Sequence, residues 1–282
     1  MSMNRTSFVR SSCLKKILAV VALLFSISSP AIAQKSPEPD PLATRRGWEV
    51  GGQLAHYHYE EPNFAQFNGN RGGLVGAYAF PARWNRVFFR VEGRESYGLL
   101  KYQGSGTQDS VPDRIVEARG VAGLDFLPGN RISLSPYLGL GYRYLYNDSR
   151  GYTSTNAAGY RRYSNYLYAP VGVTIRYDLG NRWVLAPTVE ADIFILGKQK
   201  SQLSDANIAG LNDVTNTQRH GYGYRAYLMV EKDHLAFGAW MHYWSIKDSD
   251  VQFAGVVNGV RVGGLEPANW TREMGIEFRY RF

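Results

Sequence analysis

The sequence predicts an all-β fold, an antiparallel up-and-down β-barrel of ten strands, and three observations predict it. From Trp48 onward apolar and polar residues alternate with period two, the period of a strand. The connections between alternating segments are by turns long and short. One face of nearly every segment is apolar or aromatic, while the other carries charges, Gly, Ser and Thr.

The chain opens on a stretch outside this pattern. Arg5, Arg10, Lys15 and Lys16 precede the apolar run ILAVVALLFSI; then come Ser28, Ser29, Pro30 and Ala31-Ile32-Ala33 before Gln34. A basic region, a short apolar run and a small-x-small site form the pattern of a cleaved signal peptide. The run is shorter than the about 20 residues a spanning helix needs. We expect a signal peptide over 1–33, with Ala31, Ala33 and Gln34 at the cleavage site. Cleavage removes four of 32 Lys and Arg and no acid, so 28 bases face 24 acids, a formal +4 rather than +8. That balance does not argue for nucleic acid. Cys13, the single cysteine, falls in the signal, so disulfides and thiolate metal sites are excluded from the mature chain. Residues 34–46, QKSPEPDPLATRR, read as a proline-rich lead-in, and the barrel is expected over 47–282.

The first strand, about 48–59, puts Trp48, Val50, Gly52 and Leu54 on one face. The second, about 71–80, carries Leu74, Tyr78 and Phe80. The third, about 86–100, sets Val87, Phe89 and Val91 against Arg90, Glu92 and Arg94. The fourth, about 114–126, sets Val116, Ala118, Ala122 and Leu124 against Glu117 and Arg119. The fifth, about 132–146, sets Leu138, Leu140 and Tyr142 against Gly139, Gly141 and Arg143. The sixth, about 164–177, sets Leu167, Ala169 and Val171 against Thr174 and Arg176. The seventh, about 182–195, opposes Val189 and Ile193 to Glu190 and Asp192. The eighth, about 221–231, opposes Tyr222, Tyr224 and Leu228 to Arg225 and Glu231. The ninth, about 235–246, has Leu235, Phe237 and Met241 on one face and His242 on the other. The tenth is the terminal MGIEFRYRF, beginning near Thr271, with Glu277 and Arg279 opposite Ile276, Phe278, Tyr280 and Phe282.

After the even-numbered strands the connections are tight: PARWN (81–85), LPGNR (127–131), DLGN (178–181) and EKDH (231–234). After the odd-numbered strands long loops are expected near 60–70, 101–113, 147–163, 196–220 and 247–270. Loops sorted by parity characterise a transmembrane barrel, with both termini on the short-turn side. The fifth loop contains VQFAGVVNGVRVGG, with a type I′ signal at Asn258-Gly259. Its arms are too short to span, so it is read as a ribbon outside the membrane; twelve strands, if it inserted, and eight are the alternative counts.

A barrel with one face apolar all round and the other charged must face lipid with the first and its own lumen with the second. The lumen set is Arg90, Glu92, Arg94, Glu117, Arg119, Arg143, Arg176, Glu190, Asp192, Arg225, Glu277 and Arg279. Aromatics gather in two belts: Trp48, Trp84, Phe126, Tyr177, Trp183 and Phe282 near the turns, and Tyr97, Tyr142, Tyr144, Tyr222, Tyr224 and Tyr243 near the loops.

With leader, alternating strands and the ending IEFRYRF in place, the whole mature chain resembles the outer-membrane β-barrel proteins of Gram-negative bacteria. The resemblance implies a cell outer-membrane location with periplasmic termini. It also implies that Ile276, Phe278, Tyr280 and Phe282 form the signal read by the barrel-assembly machinery, after escort by periplasmic chaperones. Outer-membrane lipid and lipopolysaccharide are the other expected partners, and a monomer is the default.

The mixed signs of the lumen set suit pairing across a plugged lumen, since barrels near eight strands are filled by side chains. A narrow porin-like channel is the alternative. No catalytic or metal constellation stands out, and neither cofactor nor nucleic acid is expected. His56 and His58 share a face, yet no serine or carboxylate obviously joins them. Omptin proteases, also ten-stranded, use paired aspartates with an Asp-x-His element; the histidines here stand in HYH, RHG, DHL and MHY, and Asp248-Ser249-Asp250 lacks the partner element. The basic loop residues Arg161, Arg162, Lys198 and Lys200 are candidates for lipopolysaccharide phosphates. The function expected is structural, adhesive or ligand-contact at the cell surface, with an outer-membrane lipid hydrolase or protease as a third possibility.

Overall fold

The computed structural model describes residues 41–80 and 86–282. The expected signal peptide with Ala31, Ala33 and Gln34, most of the lead-in, and the 81–85 turn with Trp84 lie outside the described residues.

The strands are β1 (Gly47–Glu61), β2 (Ala65–Phe80), β3 (Val87–Gly104), β4 (Gly106–Leu124), β5 (Phe126–Gly129), β6 (Ile132–Tyr152), β7 (Ala158–Gly180) and β8 (Trp183–Gln202). After a 3-10 turn at Leu203–Ala206 come β9 (Val214–Gln218), β10 (Gly221–Lys232), β11 (Leu235–Ile246), β12 (Gln252–Val257), β13 (Val260–Gly264) and β14 (Asn269–Arg281). Ten of them, β1–β4, β6–β8, β10, β11 and β14, close into one antiparallel barrel. The seam is β14 against β1, from Glu49 opposite Arg281 to Glu60 opposite Trp270, and the Phe282 amide donates to the Trp48 carbonyl at 3.0 Å. Closure leaves no open edge, so every wall strand has two neighbours for its backbone groups.

The period-two pattern sorts residues as expected. Leu54, Leu74 and Ile276 are 62%, 71% and 63% exposed on the outside, while Arg143 and Glu273 are each 1% exposed within. The outside of β1 runs from Trp48 to His58, matching the about 9–11 residues that a tilted strand needs to cross a bilayer.

Four expectations need correction or sharpening. The loops expected near 60–70, 101–113 and 147–163 are largely strand: β1 meets β2 through 62–64, β3 meets β4 at Ser105, and β6 meets β7 through 153–157. These stretches hid because the outward residues turn polar, for example Asn68 and Asn70 on β2 and Lys101 and Gln103 on β3, while apolar residues such as Phe67 and Leu100 face inward, so the outer apolar stripe that marked the strands breaks off. In 196–220, β8 runs on to Gln202 and β9 pairs with its upper half, extending the wall above β10. Both ribbon strands of the fifth loop, β12 and β13, form a sheet of their own, with Asn258 and Gly259 at φ 50° and 77°; the ten-strand count stands and twelve falls. Finally, 41–46 is tucked into the turn end of the lumen rather than extended. Thr44 donates its amide and hydroxyl to Asp125 at 3.0 and 2.7 Å, and Ser133 Oγ donates to the Leu42 carbonyl at 2.5 Å.

Two glycines on β6 and β7 explain how rings fit inside. A Cβ at Gly141 would lie 2.2 Å from the Tyr168 ring, and one at Gly172 would lie 2.5 Å from the Tyr137 ring. Their bare backbone gives the rings room to lie flat on the wall and send their hydroxyls to Glu117 and Glu190.

Candidate functional site

The inward face of each strand delivers one side chain every second residue, and the stagger of the barrel brings distant strands together. A continuous ladder of ion pairs results. At its loop end Arg143 Nη2 meets Glu273 at 3.1 Å. Glu273 also holds Arg94 at 2.7 Å, and Arg94 reaches Glu117 at 2.7 Å. Glu117 accepts from Arg225, which bonds Asp192 at 2.7 Å and Glu190 at 3.0 Å. Arg119 joins Glu190 to Glu92, each at 2.5 Å. Arg90 joins Glu92 at 2.7 Å to Glu49 at 2.5 Å. Glu49 meets Arg279 at 3.3 Å and Arg281 at 2.8 Å; Arg279 pairs with Glu277, and Arg281 ends on Glu231 at 2.6 Å.

All twelve lumen residues named from sequence point inward, and eleven lie on this ladder. Arg176 does not; it donates to Ser135 Oγ at 3.1 Å. Sequence reasoning missed Glu49, Glu273 and Arg281 on the ladder, and the separate buried pair Arg71–Asp113. Parity carries the signal for all of them: Glu273 is in phase with Glu277, and Asp113 with Glu117. Asp113 was lost because its strand was read as starting at 114, whereas Arg71 fell within the expected second strand and was not assigned to the lumen.

Aromatic rings pack against the ladder. Trp240, Trp244 and Tyr168 lie 5.6, 5.5 and 5.2 Å from the guanidinium carbons of Arg94, Arg143 and Arg225. His242 is buried between them and shares a hydrogen bond with the Tyr227 hydroxyl at 2.5 Å. Cavities lie between these groups, one of about 40 Å³ at the loop end, one of about 30 Å³ in the middle and one of about 100 Å³ at the turn end.

At the loop end a second charged group sits where the fifth loop returns to the wall. Glu266 is buried, its Oε1 within 3.2 Å of the Tyr59 hydroxyl, which is 2.7 Å from Glu61. Arg162 bonds Glu61 and lies 3.7 Å from Glu266. Burial first, and Glu61 beside it, raise the Glu266 carboxyl to about 7 against the pull of Arg162.

The other candidates are spoken for. His56 and His58 are on the outer face, bonded to Asn70 at 3.0 Å and Glu60 at 3.3 Å. Asp248 and Asp250 accept backbone amides of Ala268 and Thr217, bracing the fifth loop. The basic loop residues lie on β7 and β8 instead of in loops: Arg162 turns inward, Arg161 pairs with Asp205 at 2.7 Å, Lys200 with Asp213 at 3.3 Å, and Lys198 donates to Thr217 at 2.6 Å. Among the described residues no three His, Cys, Asp or Glu gather as metal ligands.

Neither a family model nor a curated protein matches the chain. Solved structures do. The outer membrane protease OmpT of Escherichia coli is similar over 90% of this chain and 100% of its own, at 8% identity and a TM-score of 0.55. The translocator domain of the autotransporter NalP from Neisseria meningitidis covers 95% of each chain at 11% identity and a TM-score of 0.38. Ail, the attachment invasion locus protein of Yersinia pestis, covers 84% of this chain and all of its own at 12% identity and a TM-score of 0.28. The chain has the fold of the Gram-negative outer-membrane barrels. At these identities the likeness is one of fold, and function has to be read from the site.

Proposed function

We propose that the chain is an integral outer-membrane protein whose barrel is sealed by its own side chains, and which acts through the surface above the membrane in a structural, adhesive or ligand-contact role. The observation that carries this reading is the ladder. It runs through the lumen from Arg143 to Glu231, and at the turn end Leu42 and Thr44 are bonded to Ser133 and Asp125. An ion would have to part buried pairs, and breaking one by removing a partner costs about 3–5 kcal/mol. Recording in planar bilayers tests the reading: silence is expected, and stable charge-selective steps overturn it in favour of a narrow channel.

Protease or lipid hydrolase activity has less support. The carboxylates of the lumen are engaged by arginines, and His242 faces Tyr227 rather than an aspartate. Lipopolysaccharide contact through the basic residues is weakened by their pairing. The terminal residues support a role as assembly signal: Phe282 is 71% exposed on the outer face, its ring 5.1 Å from that of Tyr280. Deleting Phe282 is expected to lower outer-membrane levels while export continues; surface labelling equal to wild type counts against it.

A further inference from the structure

The turn-end cavity, about 100 Å³, is bordered by cations whose hydrogen-bonding capacity is not used up. Arg90, Arg119, Arg176, Arg279 and Arg281 line it against two carboxylates, Glu92 and Glu231. Both carboxylates are saturated. Glu92 takes Arg90 Nε at 2.7 Å on one oxygen and Arg119 Nε at 2.5 Å on the other, and Glu231 takes both terminal nitrogens of Arg281 at 2.6 and 2.9 Å. The donors are not saturated. Arg90 spends Nε and Nη2, Arg119 spends Nε and Nη1, Arg279 spends Nε and Nη1, and Arg176 spends Nη1 alone. Arg90 Nη1 and the Nη2 atoms of Arg119, Arg176 and Arg279 make no hydrogen bond among the described residues, and unlike Arg176 Nε they are not sealed from a probe. The side chains of Arg90, Arg119 and Arg279 keep 13%, 10% and 17% of their surface.

Arg176 is the decisive member. It is 9% exposed, stands off the ladder and bonds no carboxylate among the described residues; its partner is the neutral Ser135 Oγ at 3.1 Å. A buried cation without a counter-ion is costly, and an anionic oxygen is the strongest partner a guanidinium can find. The other three arginines are held close together. Arg90 and Arg279 meet the same oxygen, Glu49 Oε2, at 2.5 and 3.3 Å, while Arg90 and Arg119 grip the two oxygens of Glu92. Thr174 and Thr188 bond each other at 2.8 Å on the same lining, which uses one hydroxyl hydrogen and leaves the other to give. The space corresponds to roughly seven waters or more at ~10–15 Å³ each, enough for a five-atom anion and some of its hydration. We propose that this cavity is a binding site for a tetrahedral oxyanion of phosphate size. Arg90 and its neighbours on the ladder supply the N–H groups, and Arg176 supplies the uncompensated charge. The site goes beyond the sealed-barrel reading but borrows three arginines of the ladder. Bilayer recording decides whether the lumen is closed, and equilibrium binding decides whether it holds an anion.

The test is calorimetric titration of the detergent-solubilised full barrel with sodium phosphate at low salt, against sodium chloride at matched ionic strength. Phosphate should bind saturably, with sodium chloride giving only heat of dilution. Arg176→Gln removes the charge without touching the ladder and should weaken phosphate binding by about tenfold or more, in a barrel that still runs as a folded species on unboiled gels. Arg182→Gln deletes a cation that is 69% exposed at the same end of the barrel and should leave binding unchanged. Phosphate should also raise the temperature at which the folded band of the wild type is lost, and raise it less in Arg176→Gln. Absence of saturable heat with phosphate, meaning that water alone serves these donors, overturns the proposal. So does chloride binding as tightly as phosphate, equal phosphate affinity in Arg176→Gln and wild type, or an equal loss in Arg182→Gln.

Discussion

The two ends of the same lumen are built differently. From Glu117 down to Glu231 the interior is charged and pairwise neutralised: Arg225 alone touches Glu117, Glu190 and Asp192. Toward the loops, apolar and aromatic side chains join the lining, with Tyr57, Phe67, Leu100, Val111 and Ile115 packed as one cluster and Tyr166, Tyr168, Phe194, Trp244 and Ile246 as another, beside the buried pairs Arg71–Asp113 and Arg162–Glu61. The contrast follows from what each region must do. Within the membrane band the outer face is given to lipid, so polar residues can only go inward, where they must pair. Above the band the outer face can be polar, which frees part of the inside for apolar packing around a few buried pairs such as Arg71–Asp113.

The comparison breaks most readily at Arg225. Arg225→Ala strips three carboxylates of their shared cation at once and should cost about 3–5 kcal/mol, seen as a lower temperature for loss of the folded band on gels. An unchanged transition would mean that the ladder does not hold the barrel. A smaller loss, about 1–3 kcal/mol, is expected for Gly141→Ala, because its methyl must displace the Tyr168 ring that bonds Glu117. Urea titration of refolding in lipid vesicles measures it, and no change would show that Tyr168 has slack.

The mildest effect is expected at the loop end, where Glu266 responds to pH. Its carboxyl is raised to about 7 by burial and by Glu61, so the docked fifth loop holds a proton that the undocked loop releases. Docking is therefore fully favoured below the ordinary carboxylate value of 4.5 and weakens from there until pH passes about 7, when a second negative charge stands beside Glu61. Hydrogen exchange over 247–268 should be slower at pH 6 than at pH 8 after correction for intrinsic rates. Glu266→Gln should remove the difference; a persistent difference would assign it to another group.

Much of this was legible in the sequence. Alternation is local, because adjacent side chains on a strand point to opposite faces, so Leu54, Leu74 and Ile276 could be placed outside and Arg225, Glu190 and Arg279 inside one strand at a time. Strand number followed from turn residues such as Asn181 and Asp233, which adopt positive φ at 51° and 51°, while the expected alternation of long and short connections failed at the first three loops. Where the outer face turns polar and the apolar residues move inward, as around Phe67, Asn68 and Asn70, the outer stripe ended and strands were read as loops. What only the tertiary structure decided is which charge meets which. Arg94 finds Glu273 across 179 positions of sequence, and Arg119 finds Glu190 across 71. Those partners are set by the stagger of strands around a closed wall, a property of the whole ring of hydrogen bonds.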